Sequence, residues 1–205
     1  MICLKKRILN YCINAIKKNS DTKYDDEKLA EIRYGLEAIY LTITKVIVIF
    51  TVSLILGIFK EMLILTVLYS ILRNTGFGIH AKKSWMCLTS SLIIFVGAPF
   101  IALNVTIPIS AKVILCGLCV VGYYLYSPAD TEKHPLVNEG KRRLYQKVTV
   151  SLSLIYTFIC LYTTNEFLSN ITLFALIIEV AMIHPVSYKI FKLPYNNYKN
   201  YVFQS

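Results

Sequence analysis

The sequence has few charged residues for its length. Only 17% of its 205 residues are Asp, Glu, Lys or Arg, whereas 56% are hydrophobic. One soluble core of this size cannot bury so much apolar surface, so the composition excludes an ordinary soluble globular protein. The excess must face lipid, and the sequence therefore predicts an integral membrane protein.

Acidic residues are scarcer than basic ones, 12 against 22, which gives a net charge of +10. A nucleic-acid-binding protein gathers its basic residues on one face or along one stripe. Here they fall in short clusters between apolar runs, and such clusters mark the loops that stay on the cytoplasmic side of a membrane. We interpret the charge as membrane orientation and expect no nucleic-acid partner.

The N-terminal segment lacks the long apolar stretch and small-residue cleavage site of a secretory signal peptide. Apolar residues instead recur at helical spacing over residues 4–16, with basic and amide side chains between them. This pattern predicts an amphipathic helix lying on the membrane surface. Residues 19–33 are polar, and we expect no membrane span before about Glu37.

Six apolar runs follow, and all but the second approach the 17–25 residues or so that a membrane-spanning helix needs. If all six cross, nearly all of the 22 basic residues lie in the cytoplasm. The sequence thus predicts an all-α membrane protein with about six transmembrane helices, both termini cytoplasmic, and a broken or re-entrant segment around residues 73–86. The runs are residues 40–59, 62–72, 86–103, 107–126, 148–164 and 167–183.

We expect one membrane domain over residues 1–205. Its parts are a cytoplasmic N-terminal region (1–36), a transmembrane core (37–183) and a cytoplasmic tail (184–205).

Three charged residues interrupt the apolar runs, Lys45, Lys112 and Glu179. Charges at such positions are costly and need partners or a route to water. An ion pair between Lys45 and Glu179 is one solution, and Lys112 is expected to reach the outer interface by snorkelling. The same residues leave a second function open, a small transporter or permease whose substrate path they mark.

Residues 73–87 carry the residue types of a cysteine nucleophile and its base. A thiol attacks as the thiolate, and a nearby imidazole can take its proton, so Cys87 and His80 suit these roles. On one straight helix they would be about 10 Å apart, too far to react. A loop permitted by Gly76 and Gly78 would have to bring His80 over the start of the third run.

A cysteine in the first turn of that run would meet unpaired backbone N–H groups and the positive end of the helix dipole. Both lower a thiol pKa, and the N–H groups could also stabilise an oxyanion. On spacing alone, however, an interfacial histidine and a packing cysteine remain the more common arrangement for His80 and Cys87.

Other polar positions have an ordinary structural explanation beside a functional one. Cys116 and Cys119 lie inside an apolar run, where helix packing explains them better than zinc or redox chemistry. Asp130 or Glu132 could orient His80 as a third catalytic group, but either could equally cap a charged loop. The basic residues around position 142 form a positive-inside anchor that could also bind an acidic substrate. They are Lys133, Lys141, Arg142, Arg143 and Lys147.

A wider pattern extends over most of the chain. It consists of Arg73 with the glycine loop, His80-Ala81, Cys87, Ser91, the motif from Tyr126 to Pro135, and Lys141-Arg142-Arg143. This pattern resembles the accessory gene regulator B (AgrB) family of bacterial membrane peptidases. It departs from the expected pattern at Phe77, which stands between the glycines where a Gly-Gly pair is expected.

The resemblance implies a cysteine endopeptidase that cuts the C-terminal tail from an AgrD-like propeptide and promotes closure of a thiolactone or lactone autoinducing peptide. It gives His80 the role of base and Cys87 that of nucleophile. A substrate or oxyanion loop would comprise Arg73, Gly76, Gly78 and Ser91.

It further implies a multi-pass protein of the bacterial cell membrane with its active site at the cytoplasmic face. The propeptide and the bilayer are the expected partners, homodimerisation is a further expectation, and no metal or cofactor is called for.

Overall fold

A computed structural model describes residues 2–19, 25–79, 84–131 and 135–200. These residues are almost entirely helical, and within them no strand forms beyond a single parallel bridge between Phe77 and Ala129. A π-helical segment, Ile93–Gly97, joins α4 to α5, and a 3-10 helix, Asn197–Asn200, follows α9. The helices are α1 Ile2–Asn19, α2 Asp26–Ile55, α3 Phe59–Gly76, α4 Ser84–Leu92, α5 Ala98–Asn104, α6 Ile109–Tyr126, α7 Glu139–Tyr162, α8 Glu166–Ile183 and α9 Pro185–Ile190.

Five helical segments of the described chain are long and apolar enough to cross a membrane, which confirms the predicted helical membrane fold. The helix α3 has 18 residues but carries Lys60, Glu61 and Arg73. The sixth crossing, through α3, therefore stays a prediction. The five segments are Glu27–Ile55, Trp85–Asn104, Ile109–Tyr126, Glu139–Tyr162 and Glu166–Ile183.

The segment Met1–Thr51 forms one compact unit. Its predicted N-terminal helix is confirmed as α1, in which Leu9 is buried while Lys6 and Arg7 are exposed. The helix α2 begins at Asp26, well before Glu37, because the polar stretch ahead of the apolar run is helical too. Within this unit Arg33 donates to the Asn10 side chain at 3.3 Å.

The segment Val52–Ser205 forms a second compact unit around α8. This helix is apolar on all sides, the pattern of a helix buried among others, and it packs against α3, α5, α6 and α7. Its side chains Ile171, Leu173 and Leu176 are fully buried. Because α8 contacts the other helices, residues along its length can reach groups from several of them.

The start of α6 and the end of α7 make buried polar contacts with the start of α8. Lys112 of α6 is only 6% exposed, and its ammonium group donates to the Ser169 hydroxyl at 2.7 Å. Ser169 donates in turn to the Cys160 carbonyl of α7. The snorkelling predicted for Lys112 was therefore wrong, because its side chain is buried among the helices and its ammonium group donates to a hydroxyl there.

Candidate functional site

The chain leaves the helical conformation just before the predicted catalytic histidine. The helix α3 ends at Gly76, residues 77–79 are not helical, and the next described helix begins at Ser84. Phe77 and Gly78 adopt positive φ angles of 60° and 101°. A loop thus begins where the sequence predicted one. His80 itself lies outside the described residues, so its pairing with Cys87 stays a prediction.

Backbone hydrogen bonds hold this loop to two other parts of the chain. The Gly78 N–H donates to the Ala129 carbonyl at 2.8 Å, and the Ala129 N–H donates to the Gly76 carbonyl at 2.9 Å. The Ile79 N–H donates to the Met182 carbonyl, near the end of α8, at 3.1 Å. Gly76, Gly78 and Ile79 are therefore held by the loop after α6 and by the end of α8.

Arg73 adds side-chain contacts to the same loop. One guanidinium nitrogen, Nη2, donates to the carbonyls of Gly78, at 3.1 Å, and Ile79. The other, Nη1, lies 3.5 Å from the Glu179 carboxylate of α8. Glu179 is fully buried and the Arg73 side chain is 17% exposed. Arg73 was predicted to belong to a substrate or oxyanion loop. In the structure its guanidinium group contacts the backbone of that same loop.

The two glycines serve different purposes. A Cβ on Gly76 would lie 2.6 Å from the Glu179 carboxylate, so the missing side chain leaves room for that group. Gly78 has φ +101°, and a Cβ there would lie 2.5 Å from the Arg73 guanidinium and 2.7 Å from the Met182 carbonyl. Neither position tolerates a side chain without movement.

Phe77, the departure from the expected glycine pair, has space for its side chain. Its ring packs edge-to-face against Tyr145 of α7, with the ring centres 5.2 Å apart. The contact offsets part of the cost of a positive φ in a residue with a Cβ. The loop thus requires glycine on both sides of Phe77 and accepts an aromatic side chain between them.

Cys87 lies in the first turn of α4 and is partly buried. Its backbone carbonyl accepts a hydrogen bond from the Ser90 hydroxyl at 3.2 Å. Ser91, one turn further along, is buried. The first N–H groups of a helix lack intrahelical partners, so the thiol sits at the positive end of the helix dipole.

Asp130 contacts the C-terminal segment. Its two carboxylate oxygens accept the backbone N–H groups of Asn197, at 3.1 Å, and Tyr198, at 2.7 Å. The Tyr188 hydroxyl of α9 donates to the carbonyls of Ala129 and Asp130. Burial raises the pKa of Tyr188 above its usual range, which keeps this donor protonated. This link between Asp130 and the C-terminal segment was not predicted, because no local sequence pattern signals it.

An orienting role for Asp130 towards His80 stays a prediction. Glu132, the other carboxylate considered, lies outside the described residues, as does Lys133.

The predicted basic cluster begins α7 and borders a cavity of about 400 Å³. Arg142 and Arg143 line it, and Arg142 lies 3.3 Å from the centre of the Tyr198 ring. Arg143 is exposed, 3.5 Å from Glu139. Lys141 lines the adjacent surface instead. Guanidinium groups bind carboxylates well, so the cavity suits an acidic segment. The remaining lining residues are Leu125, Tyr126, Ser127, Pro128, Glu139, Gln146, Tyr195, Asn196 and Tyr198.

The sequence is similar to a known protein family and to several known proteins over most of its length. The family model described as Accessory gene regulator B matches residues 9–183. An AgrB-like protein of Listeria monocytogenes is 32% identical over 181 residues, which cover 87% of this chain and 88% of the relative. An AgrB-like protein of Clostridium acetobutylicum is 30% identical over 90% of this chain and 88% of its own length.

The Accessory gene regulator protein B of Staphylococcus aureus is 30% identical over 79% of this chain and 85% of its own length. No solved structure matches significantly. Since the family match and the relatives cover most of the chain, together with the loop, the cysteine helix and the basic cluster described above, this protein belongs to the accessory gene regulator B family.

Proposed function

We propose that this protein is a cysteine endopeptidase of the bacterial cell membrane that removes the C-terminal tail of an AgrD-like propeptide. Cys87 is the nucleophile and His80 the base. The observation that carries the proposal is the loop between α3 and α4, which the protein holds with five described hydrogen bonds just before His80, within a chain of this family. A fixed loop is what a base needs if it is to stay near its nucleophile.

The first chemical step is attack of the Cys87 thiolate on the scissile carbonyl. His80 takes the thiol proton and returns it to the leaving amine, which departs with the tail. The remaining part of the propeptide is then held on Cys87 as a thioester. The N–H groups in the first turn of α4 would stabilise the oxyanion that forms on the way.

Ring closure follows when a cysteine or serine within the propeptide attacks this thioester. The new bond is a thiolactone or lactone, and Cys87 leaves as the free thiol. Thiolactone formation exchanges one thioester for another, so the acyl group stays activated. Hydrolysis would discard that activation, and the site must therefore position the internal nucleophile and limit water.

The basic cavity at the start of α7 supplies a place for the tail. Arg142 and Arg143 line it, and Lys141 lies beside it. An acidic tail would be attracted there and held by guanidinium groups. The positive charge of this segment also favours the cytoplasmic side, which puts the proposed cleavage at the inner membrane face.

The test is co-expression of the full chain with an AgrD-like propeptide, followed by mass spectrometry of the propeptide. The variants are Cys87→Ala, Cys87→Ser and His80→Ala, with Cys119→Ala as control, because Cys119 is buried in α6. We expect tail loss with the wild type and the control alone, and a cyclic product lighter than the linear fragment by one water. Cleavage by both Cys87 variants would exclude the proposed nucleophile.

A further inference from the structure

Glu179 is a buried charge for which the proposed mechanism has no use. Its side chain is fully buried in α8, and the Nη1 atom of Arg73 lies 3.5 Å from the carboxylate. Neither carboxylate oxygen has a hydrogen-bond partner among the described residues. A carboxylate inside an apolar bundle is costly and is retained only with a compensating partner. Its position therefore requires an explanation.

Arg73 connects Glu179 to the loop before His80. The guanidinium group contacts the carboxylate on one side and donates to the carbonyls of Gly78 and Ile79 on the other. Guanidinium is planar and presents its donors in a fixed arrangement, so holding one edge sets the direction of the other. The next residue after Ile79 is His80.

Two further features show that the loop and Glu179 fit each other. The absent side chain of Gly76 leaves the space that the carboxylate occupies. The Met182 carbonyl, about one turn beyond Glu179 on α8, accepts the Ile79 N–H at 3.1 Å. The same face of α8 thus holds the loop through a side-chain charge and through a backbone carbonyl.

We propose that Glu179 is a positioning residue for the peptidase site. Its carboxylate pairs with Arg73 and orients it, and Arg73 in turn holds the carbonyls of Gly78 and Ile79, the two residues just before the proposed base His80. Glu179 does not touch the substrate or the reacting atoms. This inference rests on the proposed peptidase function.

A residue that acts through another has a kinetic signature that a general packing residue lacks. If Glu179 works through Arg73, removing its charge adds nothing once Arg73 is already lost, so the two effects are not additive. Because Glu179 lies away from the substrate, its loss lowers kcat and leaves KM unchanged. A misplaced base slows the chemical step by about 10- to 100-fold.

The experiment measures propeptide cleavage by the full chain in membrane vesicles, normalised to the amount of inserted protein. The variants are Glu179→Gln, Arg73→Gln and the double variant, with Thr172→Val as control. Thr172 is also fully buried in α8, and its hydroxyl bonds only to the Leu168 carbonyl among the contacts described for it. Gln is close to Glu in shape and lacks its charge.

We expect Glu179→Gln to lower kcat about 10-fold or more with KM unchanged, and the double variant to match Arg73→Gln. Thr172→Val should keep the wild-type rate. Glu179→Gln with wild-type kcat, or a double variant slower by the product of the two single effects, would overturn the inference.

A second variant keeps the test decisive if Glu179→Gln does not accumulate in the membrane. Gly76→Ala displaces the carboxylate without removing its charge, and Gly117→Ala is its control, since a Cβ there meets nothing within 4 Å. We expect Gly76→Ala to slow cleavage about 10-fold or more, and an unchanged rate would refute the role. Failure of the proposed function appears separately, as cleavage that persists in Cys87→Ala.

Discussion

Gly78→Ala is the substitution for which the structure gives the clearest expectation. The residue has φ +101°, and a Cβ would lie 2.7 Å from the Met182 carbonyl and 2.5 Å from the Arg73 guanidinium. An L-residue in such a conformation costs about 1–3 kcal/mol. The carbonyl belongs to the α8 backbone and cannot turn aside, so the loop itself must shift. A displacement of about 1 Å near the reacting groups lowers a rate by about 100-fold.

Gly57→Ala separates backbone strain from displacement of the loop. Gly57 also has a positive φ, +70°, but a Cβ there meets nothing within 4 Å. We expect both alanine variants to unfold at lower temperature in detergent and only Gly78→Ala to lose propeptide cleavage, measured per amount of inserted protein. Equal cleavage by the Gly78→Ala and Gly57→Ala variants would refute the argument that this loop sets the site.

Two further predictions concern segments beside the site. The Asp130→Asn variant keeps one side-chain carbonyl where two carboxylate oxygens accepted the N–H groups of Asn197 and Tyr198. We expect the C-terminal segment to be held less firmly, by about 1–3 kcal/mol, and limited proteolysis to cut the residues that follow Pro194 more rapidly. An unchanged cutting rate would contradict this. Asn138→Ala removes the side-chain cap that accepts the Lys141 N–H at 3.0 Å, and we expect about 1 kcal/mol less stability by thermal unfolding. Asn165→Ala, which uncaps α8, should cost a similar amount, and a negligible loss in both would exclude capping as a source of stability.

The helical architecture could be predicted because it depends on local pattern. Long apolar runs predict spanning helices, and apolar residues that recur at helical spacing among polar ones predict α1. The partners of the buried charges could not be predicted in the same way, since they come from distant parts of the chain. Arg73 reaches Glu179, and Lys112 reaches Ser169, only because α8 packs beside α3 and α6.

Gly76 and Gly78 are both required to be glycine, but for different physical reasons. Both Gly76 and Gly78 were predicted to be needed for their backbone freedom. Gly78 does use a positive φ, but Gly76 is the last residue of α3 and is required for the space that the Glu179 carboxylate fills. The need for an unusual backbone conformation, as at Gly78, can be inferred from neighbouring residues in the sequence. The close approach of a side chain from another helix, as at Gly76, cannot.

The buried charges also bear on the alternative of a small transporter. Charged residues inside a membrane face the helix bundle or a water-filled cavity, and they pair with other polar groups there. Lys112 and Glu179 are buried and contact the protein's own Ser169 and Arg73. Lys112 thus joins α6 to α8, and Glu179 joins α8 to α3 and to the loop before His80. Two of the three charges that suggested a transport path thus contact other helices of the protein, and Glu179 adjoins the loop of the proposed peptidase site.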